Sequence, residues 1–239
     1  MTSKLILYQY EICPFCAKVK GILDFYRIPY STVDVNPLTR SQLLQADVRR
    51  KKVPYAIFGD GGGLGDSQVI LQAMRERGCV PPLRVNRLEW EKWETFCDKK
   101  LSVVLFPNIT RSLAESWQTF SYISDTRGLS WIDKILNRTL GSVAMRLANS
   151  KLKAKYGICD ERESLLAVTQ EWMDGISGDF HGGSSPSEID ALIFGVMRAI
   201  EGLEAHTWLL SQSPSNFNRW YASMSSIVGA RHSIRESRM

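Results

Sequence analysis

LILYQYEICPFCAKVKGILDFY, residues 5 to 26, decides the fold. The apolar and aromatic run LILYQY ends just before a Cys-Pro step, the pattern of a buried strand feeding a helix. From Cys16 the residues Val19, Leu23 and Tyr26 follow at steps of three and four, which is one face of that helix. Pro14 suits the first helical position, where its missing N–H would be unsatisfied in any case, so Cys13 becomes the N-cap. A sulfur there sits beside free backbone N–H groups at the positive end of the helix dipole, which favours thiolate.

The pair Cys13 and Cys16 admits three chemistries. Structural zinc normally takes four ligands in two close pairs, and no second pair exists. Cys79, Cys97 and Cys159 stand alone and are expected to be small buried hydrophobes, while His181, His206 and His232 share no ligand spacing, so no metal is expected. Five cysteines is an odd count, which argues against a disulfide framework. The reactive thiol remains, because in such motifs the first cysteine's pKa can fall from about 8.5 to between about 3.5 and 7.5. Cys13 is therefore expected to attack, and Cys16, facing inward in the first turn, to support or resolve. Tyr10, three residues ahead, either donates its hydroxyl to the sulfur or is one more aromatic of the strand.

Outward from this motif, STVDVN (31–36) alternates as a strand, and Pro37 opens a short helical segment through Leu44. KVPYAIF carries a third strand with Pro54 at its entry, and a fourth short strand lies near Leu64 and Gly65. GDGGGLGD (59–66) fits neither GxGxxG nor GxxxxGK[ST] and reads as a flexible turn. Asp66 or Ser67 caps the next helix, with Val69, Ile70, Ala73 and Met74 on its apolar face and Gly78 stopping it. Residues 1–79 thus form an α/β unit with a small mixed sheet. VPPLRVN (80–86) reads as a linker.

The pattern over 87–239 is helical throughout, with helices expected at 87–104, 111–124, 129–156, 160–177, 187–204 and 215–229. Ser187 and Asp190 approximate a capping box, and Ile189, Ile193, Val196, Ile200 and Leu203 line one face behind it. The segment 130–156 is basic and amphipathic, which suits contact with a membrane surface, although packing within the helical domain is the commoner fate.

The net charge of +5 is concentrated in Arg49, Arg50, Lys51 and Lys52 and in Arg138, Arg146, Lys151, Lys153 and Lys155. Anionic small molecules or lipid headgroups fit such clusters; nucleic acid is not expected, since no binding motif accompanies the charge. No apolar stretch reaches the roughly 20 residues that span a bilayer. The first strand-like run begins at Lys4 or Leu5, leaving no room for a signal peptide. Read from Met1, the sequence points to the cytoplasm, with membrane association expected only if an N-terminal anchor was removed.

The ordered set of CPFC, a Val-Pro step, Asp-Ser opening a helix, a linker and a helical half containing SEID resembles the glutathione transferase superfamily. More narrowly, LYQYEICPFCAKVKGILDF, RKKVP, DSQVI, PNITRS and IEGLEAH resemble the prostaglandin E synthase type 2 family. The resemblance implies a thioredoxin-like N-terminal domain followed by an all-α glutathione transferase C-terminal domain. It implies that Cys13 is the catalytic thiol, that Tyr10 bonds its sulfur and that Phe15 borders the substrate cavity. It further implies a cis Pro54, with glutathione bound through the Val53 backbone, through Asp66 and Ser67 at the γ-glutamyl end, and through Lys51 or Lys52 at the glycyl carboxylate. Animal members hold haem with histidine and serine shortly before the Pro-Asn step; Val103 and Phe106 stand in that region here, which puts haem in doubt.

The function expected is a homodimeric, glutathione-binding thiol enzyme that isomerises prostaglandin H2 to prostaglandin E2, or a related apolar peroxide, through Cys13. A glutaredoxin-like dithiol oxidoreductase or general glutathione transferase is the first alternative. A non-catalytic glutathione- or lipid-binding scaffold on the same fold is the second.

Overall fold

Strand β1 (Leu5–Gln9) is buried along its whole length, so it occupies the middle of a sheet rather than an edge. The computed structural model describes residues 5–46, 52–126, 129–229 and 233–235. Helix α1 (Pro14–Phe25) follows β1 and crosses to β2 (Tyr30–Asp34), which pairs parallel to β1. After α2 (Ser41–Gln45), β3 (Tyr55–Ile57) and β4 (Gly63–Gly65) add antiparallel strands on the other side of β1. Pro37 lies in the turn ahead of α2, where the Asn36 side chain accepts from the N–H groups of Leu38 at 2.9 Å and Thr39 at 3.2 Å.

Helix α3 (Ser67–Glu76) is capped by Asp66, and Gly78 beyond its end takes φ +67°. Its buried face is Ile70, Leu71, Ala73 and Met74; Val69, expected inside, is 45% exposed because Leu71 takes the inward position. Residues 80–86 then lead to α4 (Arg87–Phe96), a π-helical turn over Cys97–Leu101, and α5 (Ser102–Ile109). The helix expected to end at 104 therefore continues through Pro107, with the Asn108 side chain bonding the Val104 carbonyl at 2.9 Å.

The segment expected as one helix over 111–124 is broken into α6 (Leu113–Thr119) and α7 (Tyr122–Asp125). The long α8 (Trp131–Tyr156) has a full capping box at Ser130 and Asp133 and ends at Gly157 in the left-handed region. It is followed by α9 (Glu161–Asp174) and α10 (Glu188–Met197), whose capping box at Ser187 and Asp190 is complete. A 3₁₀ turn at Arg198–Ile200 and Gly202 at φ +82° end the run expected to reach 204. An additional helix, α11 (Glu204–Gln212), starts there, before α12 (Ser215–Val228).

The C-terminal region is not purely helical. Strand β5 (Ser233–Arg235) returns to pair parallel with β2, giving the sheet order β4-β3-β1-β2-β5. Helix α1 is buried from Cys16 to Asp24 because the sheet covers one side and α10 the other. The two helices touch backbone to backbone: a Cβ on Gly21 would lie 2.5 Å from the Gly195 Cα, so glycine is required at this crossing. Lys18, sealed inside, ties α1 to the helical half through Asp98 at 2.7 Å and Glu94 at 3.6 Å.

Candidate functional site

The strand register assembles the site. Tyr55, at the start of β3, pairs with Tyr8 near the end of β1, and Gly65, at the end of β4, pairs with Tyr55. One end of the sheet therefore gathers the CPFC turn after β1, the Val53-Pro54 step before β3 and Asp66-Ser67 after β4.

Cys13 is the N-cap of α1 and half-buried; its N–H donates to the Tyr10 carbonyl at 3.1 Å. Cys16, three residues on, is fully buried. The Cys16 thiol donates to the Cys13 sulfur, which also lies against the N–H groups of Cys16 and Phe15, and together these outweigh burial and pull the Cys13 pKa down. Burial, reinforced by that donated hydrogen bond, pushes the Cys16 pKa well up, while the Tyr10 N–H faces its sulfur. One cysteine is thus shifted toward thiolate and its neighbour toward thiol.

Behind the sulfurs lies a polar network that the sequence reading missed. Lys20 is 2% exposed, and its ammonium is 3.2 Å from Glu11. The Gln9 amide, on β1, donates to Glu11 at 2.8 Å and to Asp34 at 2.9 Å. Burial brings the Lys20 pKa down to about 8, opposed by Cys16, Asp34, Asp24 and Cys13. A charged residue within a helix flanked by apolar positions on both sides is the signal that could have flagged it.

The Tyr10 hydroxyl corrects an expectation. It hydrogen-bonds Arg40, which sits at φ +54°, and its interactions with the two sulfurs are coulombic; burial raises its pKa. Its main chain serves the turn instead, the carbonyl accepting from the Cys13 N–H and the N–H facing the Cys16 sulfur.

In front of Cys13 opens a cavity of about 540 Å³ with a predominantly apolar wall. Tyr10, Cys13 and Phe15 line one side; Val103, Phe106, Ile109, Phe120 and Tyr122 line the other, together with the α8 residues Gly141, Ala144 and Met145. Gly141 is small because the Phe120 ring occupies the space where a Cβ would stand, 2.7 Å away. Val103 and Phe106 carry no metal-binding atom, so this wall does not fit the haem arrangement expected of animal relatives. Among the described residues no group of three or more His, Cys, Asp or Glu could hold a metal ion.

Val53, Pro54, Asp66, Ser67 and Lys52 are outside the wall of that cavity. The Val53-Pro54 bond is cis, and the ladder starts at Tyr55, so Val53's main-chain groups lie beyond it. Asp66 takes φ +80° and accepts from the Gln68 N–H at 3.0 Å, with Ser67 buried beside it at the N-terminus of α3. Lys52 is exposed, whereas Lys51, like Arg49, Arg50 and His232, lies outside the described residues. Of the isolated cysteines Cys97 is buried as expected, but Cys79 is half-buried and Cys159 exposed, since each falls in a turn after a helix rather than inside one.

A mixed sheet with a CPFC turn, a cis-proline and a helical half closing over the sulfur defines the glutathione transferase fold. Residues 7–78 match the family model described as glutathione S-transferase, N-terminal domain. A glutathione S-transferase of Ceriporiopsis subvermispora, solved with glutathione, superposes with a TM-score of 0.61 at 14% identity, covering 94% of this chain and 96% of that one. Glutaredoxin 2 of Salmonella typhimurium, also solved with glutathione, gives 0.54 at 16% identity and 94% coverage of both chains. Within this fold the chain resembles the prostaglandin E synthase type 2 family over nearly its whole length. It is 28% identical to Prostaglandin E synthase 2 of Mus musculus over 97% of this chain and 72% of the relative. To the Danio rerio protein of the same name it is 28% identical over 92% and 70%.

Proposed function

We propose that this chain is a glutathione-binding thiol isomerase that converts prostaglandin H2 to prostaglandin E2, or a related apolar endoperoxide to its hydroxyketone, through Cys13. The observation that carries the reading is the placement of Cys13, its pKa lowered by the Cys16 thiol and the helix N–H groups, in the wall of a largely apolar cavity of about 540 Å³. A nucleophile in such a cavity is shielded from water and meets a greasy substrate carrying a weak O–O bond. Glutathione would lie along the sheet end. The Val53 main chain supplies strand-like hydrogen bonds, Asp66 and Ser67 take the γ-glutamyl head, Lys52 meets the glycyl carboxylate, and Tyr10 and Phe15 shape the entry to the sulfur. Two solved structures of this fold that hold glutathione support glutathione as the ligand.

Purified protein incubated with prostaglandin H2 and glutathione tests the reading. Wild type is expected to form prostaglandin E2 and Cys13→Ser to lose at least about 100-fold of that rate, as removal of a nucleophile should. Equal product from both would refute the isomerase.

The hydrogen bond from the Cys16 thiol to Cys13 favours a second reading, a dithiol oxidoreductase. In the same assay series Cys16→Ser separates the two: a dithiol enzyme loses every step that passes through a Cys13–Cys16 disulfide, whereas the isomerase keeps its nucleophile and retains turnover.

We also propose that the chain pairs with a second copy through α8. Leu136, Leu140, Val143 and Leu147 are all exposed and follow one another at steps of four, three and four, the seam along which two helices interlock.

A further inference from the structure

The isomerisation needs a proton in one place and removes one in another, and the cysteine pair supplies neither. The Cys13 pKa is lowered by the Cys16 thiol, whose proton is spent in that hydrogen bond. Four hydroxyls belong to residues of the cavity wall: those of Tyr10, Ser102, Tyr122 and Tyr156. Tyr10 is engaged by Arg40. The Ser102 hydroxyl oxygen is buried behind the wall without a partner. Tyr156 is 45% exposed at the outer end of α8, beneath the Lys155 ammonium.

Tyr122 differs from all three. It stands on α7, across the cavity from the CPFC turn, and its ring stacks on Phe120 with centroids 6.3 Å apart and planes at 26°. Its side chain lines the same cavity as Cys13. Burial, then the charges of Tyr10, Asp34, Cys13 and Cys16, keep the phenol protonated far into the alkaline range. A phenol held neutral in the same cavity wall as Cys13 is a donor for a base stronger than sulfur.

We propose that the Tyr122 hydroxyl is the proton carrier of the reaction, an assignment that rests on the isomerase reading above. The Cys13 thiolate attacks one oxygen of the endoperoxide; an S–O bond forms, the O–O bond breaks, and its electron pair leaves on the other oxygen as alkoxide. Tyr122 gives its proton to that alkoxide. The phenolate so formed removes the proton from the carbon bearing the sulfur-bound oxygen. The C–H pair becomes the C=O bond, and the S–O pair returns to sulfur, restoring thiolate and phenol. The net change is an isomerisation, with no external oxidant or reductant.

The test compares wild type and Tyr122→Phe on prostaglandin H2 with glutathione, alongside the pH dependence of Cys13 alkylation and the affinity for glutathione. Turnover by Tyr122→Phe is expected to fall about 100-fold, the usual contribution of a positioned acid-base group, while alkylation and glutathione affinity stay at wild-type values. Turnover equal to wild type overturns the assignment and leaves the isomerase intact. Loss of turnover together with altered Cys13 alkylation makes the effect structural and also overturns it. Wild type without turnover removes the isomerase reading and this role with it.

Discussion

Lys20 shows how a single buried charge can add to the hydrogen bonds that tune the CPFC turn. Its cation lowers the Cys13 pKa through space, so replacing it with methionine removes a stabiliser of thiolate and moves the Cys13 titration to higher pH. Alkylation rates of Lys20→Met measured against pH are expected to give a midpoint about one unit above wild type, consistent with loss of one nearby opposite charge. An unmoved midpoint would leave only the Cys16 thiol and the two amides to hold the sulfur ionised. Lys20 also couples stability to pH. Its folded pKa, about 8, is below the 10.5 of the free side chain, so the unfolded chain holds this proton to higher pH. The burden of burying the cation is therefore full below about 8 and relieved as pH climbs toward 10.5. At this scale the sequence revealed the local chemistry: Cys13 at a helix start with Pro14 behind it is legible within four residues. Lys20 and Glu11 are near Cys13 in sequence but gain their role from the packing that buries Lys20, Tyr122 reaches the cavity only through tertiary folding, and the Tyr10 hydroxyl was misassigned because Arg40, 30 positions away, could not be weighed from spacing.

Helix α10 illustrates what an element can disclose in advance and what it withholds. The Ser187-Asp190 capping box is written in SEID, and both its hydrogen bonds form. Asp190 does more than cap: its other oxygen accepts from the His181 N–H at 2.9 Å and from the Trp220 indole N–H at 2.9 Å, joining three segments at a fully buried carboxylate. Asp190→Ala strands two buried donors and removes a cap, and is expected to lower unfolding free energy by about 3 kcal/mol or more in a urea titration, the sum of one cap and two orphaned groups. A change below about 1 kcal/mol would mean that water or a shifted loop takes over these bonds. Helix α11 escaped the sequence reading for a related reason. The apolar period of α10 runs on through Leu203 only if the 3₁₀ turn and Gly202 are ignored, and a glycine in a periodic stretch does not announce that a new helix starts beyond it.

Across the whole molecule, the order of strands and helices was legible because hydrophobic period changes cleanly near residue 80. Strand β5 was not: SIR is three residues long, and only pairing with β2 makes it a strand. The exposed stripe of α8 concerns the molecule as it meets another. Trp131 is 71% exposed, Leu140 56% and Leu147 67%, more apolar surface than one helix ordinarily leaves to water. Light scattering during gel filtration is expected to give twice the chain mass for wild type and the single mass for Leu140→Lys, which puts a charge on the seam. A wild-type monomer, or a dimer untouched by the lysine, would refute pairing through this face.

The meeting of Gly21 with Gly195 has a mechanical corollary. Two backbones in direct contact, with no side chain between them to swing or slide, make a weld rather than a joint. Substrate cannot then be admitted by the α/β half rocking away from α10. Any yielding is left to the far wall, where short α7 meets α8 through the Phe120 ring against Gly141 and through the Lys134 ammonium on the Ser124 carbonyl at 2.8 Å, the wall that also carries Tyr122.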